Sequence, residues 1–387
     1  MSMVSRLKTF AKLLVLPRNT PFSCPICLQK DYLNRFPEPK DEIERSYFQY
    51  KCQMKLFGFW RSFLLNITSP FLLLFLFLRD IKPSKVATQS PCDALFISLG
   101  INENVIPLSL KSEFPHIVNI NDMEQHHLDK NDKRFIRSIW KRYPFAFQFL
   151  LKIYLKVSMY SAWEKAYSPK ALLVCSEYSF TSSAMTAYCR QSGLKHIDVM
   201  HGEKLFYIRD SFFEFDRCYV WDNFYRDLFI RMRAEERQFT TEVPPSLCFS
   251  NHSVDKEVDF TFYLGAEGER DIRILAKHCR NLRGKGYRVA VRPHPRYTSK
   301  ALLGLFPEDI LIENNDTIPI EVSVLRTSNV VSLYSTVLNQ ALNNGINIVI
   351  DDLTDVRKYQ ELKCRDFICL NQPHRLLSEI VKDGATA

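Results

Sequence analysis

Short apolar runs alternate with longer amphipathic stretches from Cys92 onward. The runs at 93–100, 171–178, 195–202 and 216–222 are rich in β-branched or aromatic residues and end in glycine or acidic residues. Helical patterns, such as those at 141–167 and 181–193, lie between them. This alternation predicts a Rossmann-like doubly wound α/β domain over residues 86–240.

A second series of the same kind follows a polar stretch at 241–257. That stretch contains Pro244 and Pro245, has neither helical nor strand periodicity, and reads as an interdomain linker. A second Rossmann-like domain is therefore predicted over 258–387. Its strands are expected at 259–265, 287–295, 310–316, 329–336, 346–352 and 366–371.

The first 85 residues have a different pattern and predict a basic and apolar membrane-associating segment. Residues 1–18 place cations, among them Lys8, Lys12 and Arg18, between apolar residues at near-helical spacing, which is typical of a helix lying on anionic lipid. The run at 59–79 is long enough to cross a bilayer, but its purely apolar part, 71–78, is too short. The apolar run is interrupted by Arg61, Asn66 and Pro70.

These features favour a peripheral or monotopic anchor at the cytoplasmic face of the inner membrane. A true membrane span and a buried core helix remain alternatives for the run at 59–79.

Composition and charge narrow the function classes. The 387 residues, 46% of them apolar and 25% charged, suit a globular chain of two domains. The net charge of +9 suits a phosphate-bearing ligand or an anionic membrane surface, and no nucleic-acid partner is expected. The eleven cysteines show no disulfide framework and are interpreted as reduced thiols. Cys24 and Cys27 supply only half of a zinc site, so no metal is expected.

Polar residues follow several of the predicted strands, at the edge where open α/β sheets bind ligands. The first domain offers Glu177 after one strand and His201, Gly202 and Glu203 after the next. His201 and Glu203 can each accept a proton from a hydroxyl group. Gly202 would allow a sharp turn and the close approach of a ligand. The alternative is that His201 is a polar residue satisfied at a strand end.

In the second domain, His294 lies between Pro293 and Pro295, which stiffen the backbone around it. With Arg292 and Arg296 it is predicted to bind a phosphate or a ribose, whereas most lone histidines are structural or merely exposed.

Tyr334, Ser335 and Thr336 begin a predicted helix that ends at Gly345. Hydroxyl residues at this position are common N-caps, and the same geometry can bind phosphate. Gly265, at the end of its strand, is assigned to the same donor site. The chain has no GxxxxGK[ST], GxGxxG, HExxH or DxD motif, which argues against nucleotide hydrolysis, dinucleotide redox chemistry and metalloprotease activity.

The order of "HG" after a first-domain strand, "RPHP" after a second-domain strand and "YST" before a helix carries a family resemblance over about 93–375. It resembles the bacterial GT-B glycosyltransferases of capsule and lipopolysaccharide synthesis, notably the sialyltransferases and polysialyltransferases with an HP motif. It is also similar to the CDP-glycerol glycerophosphotransferases, which carry an HG motif.

The resemblance implies that His294, Ser335 and Thr336 hold a cytidine nucleotide and its phosphate. The sialyltransferase-like families use a first-domain acid as the base, and this sequence has His201-Gly202-Glu203 where an acid-acid-glycine motif would stand. The glycerophosphotransferase-like families use the histidine of HG, which favours His201.

The resulting prediction is an inverting, metal-independent glycosyltransferase without a cofactor. Its predicted donor is a nucleotide sugar, and a CMP-linked acidic sugar is favoured over CDP- or UDP-linked donors. Its acceptor is a glycan or a lipid-linked glycan of a bacterial surface polysaccharide. The alternatives are a nucleotide-sugar epimerase, a CDP-glycerol-type phosphotransferase and a non-catalytic nucleotide- or glycan-binding module.

Overall fold

A computed structural model describes residues 21–80, 86–121, 126–249 and 254–382 of the chain. The basic stretch at 1–18 lies outside these residues. The chain divides into two compact units. The first comprises Met1–His201 and Phe206–Glu242, and the second comprises Gly202–Leu205 and Val243–Ala387.

The first unit is built on a parallel sheet whose six strands, in the described residues, have the order β2-β1-β3-β4-β5-β6. Strands β1 and β3 are fully buried because helices cover both faces, which explains their continuous apolar runs. Strands β2 and β6 were not predicted, because β2 is half exposed at an edge and β6 is only three residues long. The strands are β1 (Ala94–Ile97), β2 (Ile117–Ile120), β3 (Ala171–Val174), β4 (Lys195–Val199), β5 (Arg217–Val220) and β6 (Phe239–Thr241).

Helices on both sides of this sheet complete the first unit. The predicted helical stretch at 141–167 is the end of α5 followed by α6, and the stretch at 181–193 is α7. The helices are α1 (Ile26–Leu33), α2 (Glu42–Phe57), α3 (Phe59–Arg79), α4 (Leu108–Glu113), α5 (Lys130–Arg142), α6 (Phe147–Tyr167), α7 (Ser182–Gln191) and α8 (Asn223–Arg231).

The apolar run at 59–79 forms one uninterrupted helix, α3, which continues through Pro70. Its buried side, which includes Leu65 and Leu73, packs along α6, and the Tyr154 hydroxyl donates to the carbonyl oxygen of Leu76 at 3.3 Å. The other side is exposed. Among the described residues, α3 is the one helix long and apolar enough to cross a membrane.

The second unit is built on another parallel sheet, whose six strands in the described residues have the order β12-β11-β10-β7-β8-β9. Its apolar core lies between the sheet and α9 and includes Phe262, Leu275 and Val331. The strands are β7 (Val258–Tyr263), β8 (Val289–Arg292), β9 (Leu311–Ile312), β10 (Thr327–Ser332), β11 (Asn347–Ile350) and β12 (Arg375–Leu376), and the helices are α9 (Glu269–Gly284), α10 (Ile320–Leu325), α11 (Thr336–Asn343), α12 (Val356–Cys364) and α13 (Leu377–Lys382).

One predicted strand of this unit is wrong. The run at 366–371 contains a 3₁₀ helix, Ile368–Leu370, and β12 forms the edge of the sheet instead. Asp366 has a φ of 54°, which is a left-handed conformation that an extended strand does not contain. The two parallel sheets nevertheless confirm the predicted α/β fold with two doubly wound domains.

Candidate functional site

In the second unit, the loops that follow β7, β8 and β10 emerge side by side. Strand β7 has β8 on one side and β10 on the other, so the strand order reverses there. Such a switch point leaves a crevice at the carboxyl edge of a parallel sheet. The Thr298 hydroxyl accepts a hydrogen bond from the backbone N–H of His294 at 2.8 Å and donates to the carbonyl oxygen of Gly265 at 2.9 Å. The loops carrying Gly265 and His294 are thereby held together.

The His294 ring is oriented by its own loop. Its Nδ1 accepts a hydrogen bond from the backbone N–H of Arg296 at 3.1 Å, and the ring lies 4.4 Å from that of Tyr297, centroid to centroid. Burial, and then the charge of Arg296, lower the pKa of His294, which favours the neutral ring. Because Nδ1 accepts, the proton of the neutral ring lies on Nε2. His294 therefore offers an N–H donor at this edge.

Helix α11 begins at the same edge. Ser335 has an extended backbone and its hydroxyl accepts from the backbone N–H of Val337, which confirms the N-cap interpretation. The helix ends before Gly345, whose φ is 67°. Tyr334 places its ring 5.7 Å from the Lys358 ammonium. Phosphate binding at this helix start remains a prediction.

A cavity of about 160 Å³ lies between the ends of β7, β10 and β11. Its lining includes Glu267, Ser332, Asp351 and Lys358. Burial raises the pKa of Glu267 and of Asp351, and burial lowers the pKa of Lys358 against the opposing charge of Glu267. Ligand pockets usually measure about 300–1,000 Å³, so this cavity suits one ring of a ligand. Carboxylates at this position of a doubly wound sheet can bind ribose hydroxyls. Glu267 and Asp351 were not among the site residues predicted from the sequence.

Arg292 ends β8, but its side chain does not face a ligand site. Its side chain is buried, with Nη1 donating to Glu313 Oε2 at 2.9 Å and Nη2 donating to the carbonyl oxygen of Ile318 at 2.9 Å. Arg326 also pairs with Glu313, at 2.8 Å. We therefore remove Arg292 from the donor site and assign it to the interior of the second unit. The signal in the sequence was Glu313, an acid that directly follows the apolar residues 310–312 and that needs a cationic partner when it is buried.

Glu203, predicted in the first domain, belongs to the second unit and is held by other residues of that unit. Its backbone N–H donates to the Thr336 hydroxyl at 3.3 Å, and its carbonyl oxygen accepts from the Tyr334 hydroxyl at 3.2 Å. The side-chain amide of Asn339 donates to the Glu203 carboxylate. These bonds fix Glu203 against the start of α11.

The turn at Gly202 does not use a left-handed backbone, and the close approach of a ligand there stays a prediction. Gly202 is absent from the positive-φ residues of the described chain. A Cβ there would lie 4.0 Å from the Thr336 hydroxyl oxygen, which is ordinary van der Waals contact. Neither the backbone conformation nor the available space requires glycine.

In the first unit, His201 follows β4 at the carboxyl edge of the sheet. Its Nδ1 is buried and has no hydrogen-bond partner among the residues that the structure describes. Burial lowers the pKa of His201, while Asp210 opposes this shift and Arg209 adds to it. A neutral imidazole with an unused nitrogen can accept a proton at neutral pH.

Two acidic residues at this edge of the first sheet, Glu177 and Asp198, are buried. The Glu177 side chain is inaccessible to solvent, and its carbonyl oxygen accepts from the Gln49 amide at 2.8 Å. A residue that contacts the acceptor must be accessible, and the Glu177 carboxylate is not, so the structure does not support this predicted role. Asp198, which sequence reasoning missed, lies within β4 and accepts from the backbone N–H of Ser176 at 2.7 Å. Burial raises the pKa of Asp198 to about 7.

Within 21–80, 86–121, 126–249 and 254–382, no three His, Cys, Asp or Glu side chains come together in a group that could hold a metal ion.

No family model matches the chain, and no curated protein matches it. Several solved structures are similar. The glycosyltransferase of kitacinnamycin has a TM-score of 0.46 and 12% identity, covering 76% of this chain and 92% of that one. A variant of the wall teichoic acid polymerase TagF has a TM-score of 0.46 and 10% identity, covering 84% of this chain and 88% of that one.

The UDP-N-acetylglucosamine 2-epimerase from Rickettsia bellii has a TM-score of 0.41 and 12% identity, covering 67% of this chain and 78% of that one. Likenesses of this size assign no activity to the chain, and its proposed chemistry rests on the geometry of its own residues.

Proposed function

We propose that this protein is an inverting glycosyltransferase that uses a nucleotide-activated sugar. The observation that carries the proposal is the set of hydrogen-bond donors, all N–H groups, at the switch point of the second sheet. There the Nε2 proton of His294 and the capped start of α11 lie on the two loops that flank the end of β7, and the His294 loop is hydrogen-bonded through Thr298 to Gly265. Helix starts and N–H donors at such a crevice are suited to phosphate.

The donor is a nucleotide sugar, with a CMP-linked acidic sugar favoured over CDP- and UDP-linked donors. Its phosphate would lie at the start of α11, and its ribose hydroxyls would donate to the acids of the 160 Å³ cavity. His294, Arg296 and the α11 dipole would offset the charge of the leaving phosphate. A metal ion would then be unnecessary.

The first unit would supply the base. The acceptor hydroxyl oxygen forms a bond to the anomeric carbon as the bond from that carbon to the phosphate oxygen breaks. The nucleotide leaves with the bonding electron pair, and the hydroxyl proton moves to His201, which is neutral because burial lowers its pKa. Glu203 is hydrogen-bonded to Asn339 and Thr336, so it would stay in position and would not accept the proton.

The site of action would be the cytoplasmic face of a bacterial inner membrane, where a glycan or lipid-linked glycan of a surface polysaccharide is the acceptor. Helix α3 supports this, because its exposed side carries Phe59, Trp60 and Phe71, each more than 70% exposed. Its opposite side packs on α6, which favours a helix lying in the interface over one that spans the bilayer.

A thermal-shift screen against CMP, CDP, UDP and GDP tests the proposal first. A ligand at 100 times its Kd adds about 2.7 kcal/mol to the free energy of unfolding. Absence of a shift with all four nucleotides would refute it. With a bound nucleotide sugar in hand, acceptor-dependent release of its nucleotide separates a transferase from an epimerase and from a binding module. That product is a nucleoside monophosphate for a CMP-linked donor and a nucleoside diphosphate for a CDP- or UDP-linked donor.

A further inference from the structure

Three cations meet at the carboxyl edge of the first sheet, and the proposed chemistry uses none of them. Lys152 and Lys156 are four residues apart on α6 and therefore share one face of that helix. The Lys152 ammonium lies 4.1 Å from the ring centroid of Phe180, and the Arg209 guanidinium carbon lies 5.2 Å from that of Tyr178. Both rings belong to the segment that follows β3. We call Lys152, Lys156 and Arg209 the cationic cluster.

The two lysines of the cluster lack an acidic partner. No described carboxylate forms an ion pair with either ammonium, and the charges that act on Lys152 are those of Lys156 and Arg209. Further along the same helix, Lys165 pairs with Asp129 at 3.1 Å. Like charges four residues apart on a helix are destabilising. The fold therefore keeps an unfavourable pair at the edge where α/β sheets bind ligands.

Burial opposes the charge of both lysines. It lowers the pKa of Lys152 to about 7, with Lys156 and Arg209 contributing, and the pKa of Lys156 to about 8. Arg209 keeps its charge, because Asp210 accepts from its Nε at 2.9 Å. Its charge also acts on His201, whose pKa it lowers further. The His201 ring lies 6.5 Å from that of Tyr178, centroid to centroid, so the cluster and the proposed base lie close to each other within the first unit.

We propose that the cationic cluster binds a phosphate or diphosphate group carried by the acceptor. An anion there would supply the missing partner of the lysines and would place an acceptor hydroxyl within reach of His201. The identification of the ligand as the acceptor rests on the proposed function, whereas anion binding does not. A free phosphoester and a lipid headgroup offer the same chemistry, and the experiment below separates these two sources.

Residue-resolved amine acetylation of the full chain tests the site. The protein is treated at pH 8 with and without sodium pyrophosphate, and the modified peptides are quantified by mass spectrometry. Pyrophosphate at ten times its Kd should slow acetylation of Lys152 and Lys156 about tenfold, since about one tenth of the sites stay free. Lys165 should react at an unchanged rate. Equal rates at Lys152 with and without pyrophosphate would overturn the proposal.

A charge-matched pair of variants provides the second measurement. Lys152→Gln/Lys156→Gln should lose any pyrophosphate-induced rise in Tm assigned to this site, while its own Tm should be equal to or above that of the wild type. Lys165→Gln/Lys170→Gln removes the same charge from residues in surface ion pairs and should keep the rise. A rise retained in the first variant contradicts the proposal, and the acetylation test applies even if that variant does not fold.

The lipid arm uses vesicles of phosphatidylglycerol without pyrophosphate. Protection by vesicles but not by pyrophosphate would overturn the acceptor assignment in favour of a headgroup site. Nucleotide binding by the second unit is measured separately. Protection of the lysines without any nucleotide binding would sustain the anion site and refute the transferase, and the converse result would refute only the anion site.

Discussion

Replacement of His294 by alanine gives the sharpest test of the nucleotide site. In the native loop, Nδ1 accepts from the Arg296 backbone and Nε2 carries the proton that would reach a phosphate oxygen. The variant loses this charge-assisted hydrogen bond, which is worth about 1.5–3 kcal/mol. The expected rise in the nucleotide Kd is therefore about ten- to one-hundredfold.

The thermal-shift assay converts this change into a measurable loss. At a nucleotide concentration of 100 times the wild-type Kd, binding adds about 2.7 kcal/mol to the free energy of unfolding, against about 0.4–1.4 kcal/mol for the variant. The nucleotide-induced rise in Tm should thus fall to half or less. The residual rise, read at several concentrations, gives the Kd of the variant directly.

A matched control is His374→Ala, which removes another imidazole from the same unit. Its Nδ1 lies 2.8 Å from the carbonyl oxygen of Gln372, in the segment before β12. This variant should keep the full nucleotide-induced rise in Tm. If His294→Ala also keeps the full rise, the imidazole does not contact the phosphate and the proposed donor geometry is refuted.

Three further predictions concern the base, the core of the first unit and the membrane face. His201→Ala should leave nucleotide affinity unchanged and reduce acceptor-dependent nucleotide release by roughly 10²–10⁴-fold, whereas full activity would exclude His201 as the base. Burial lowers the pKa of His196 to about 3, so its contribution to stability is complete above pH ~6.5 and declines as the pH falls. Urea titrations should therefore show the stability difference between wild type and His196→Gln narrowing by about 3 kcal/mol from pH 7 to about pH 4, and a constant difference would contradict the burial argument. Trp60→Ser/Phe71→Ser should reduce sedimentation with anionic vesicles without lowering Tm, because both side chains are exposed, and unchanged sedimentation would argue against α3 as the contact.

The sequence by itself determined the alternation of strands and helices and the edges at which polar residues follow strands. Those properties are local, since a few consecutive residues carry each period and each cap. The N-cap at Ser335 and the helices α6 and α7 were predictable for this reason. The strand predicted at 366–371 is wrong because Asp366 has a left-handed backbone conformation. The periodicity of apolar residues does not reveal the backbone conformation of a single residue.

Only the tertiary structure decided which polar residues are partners. Arg292 and Glu313 are 21 positions apart, and Glu203 and Asn339 are 136 apart, so no local pattern relates them. Their pairing removes Arg292 from the donor site and holds Glu203 against α11. The cationic cluster could not be predicted from the sequence for the same reason. Lys152 and Lys156 follow an ordinary helical spacing, and their lack of an acidic partner depends on what the fold places opposite them. Chemistry that depends on burial and on distant neighbours is decided when the chain packs, because burial sets both the charge a group can carry and the partner it needs.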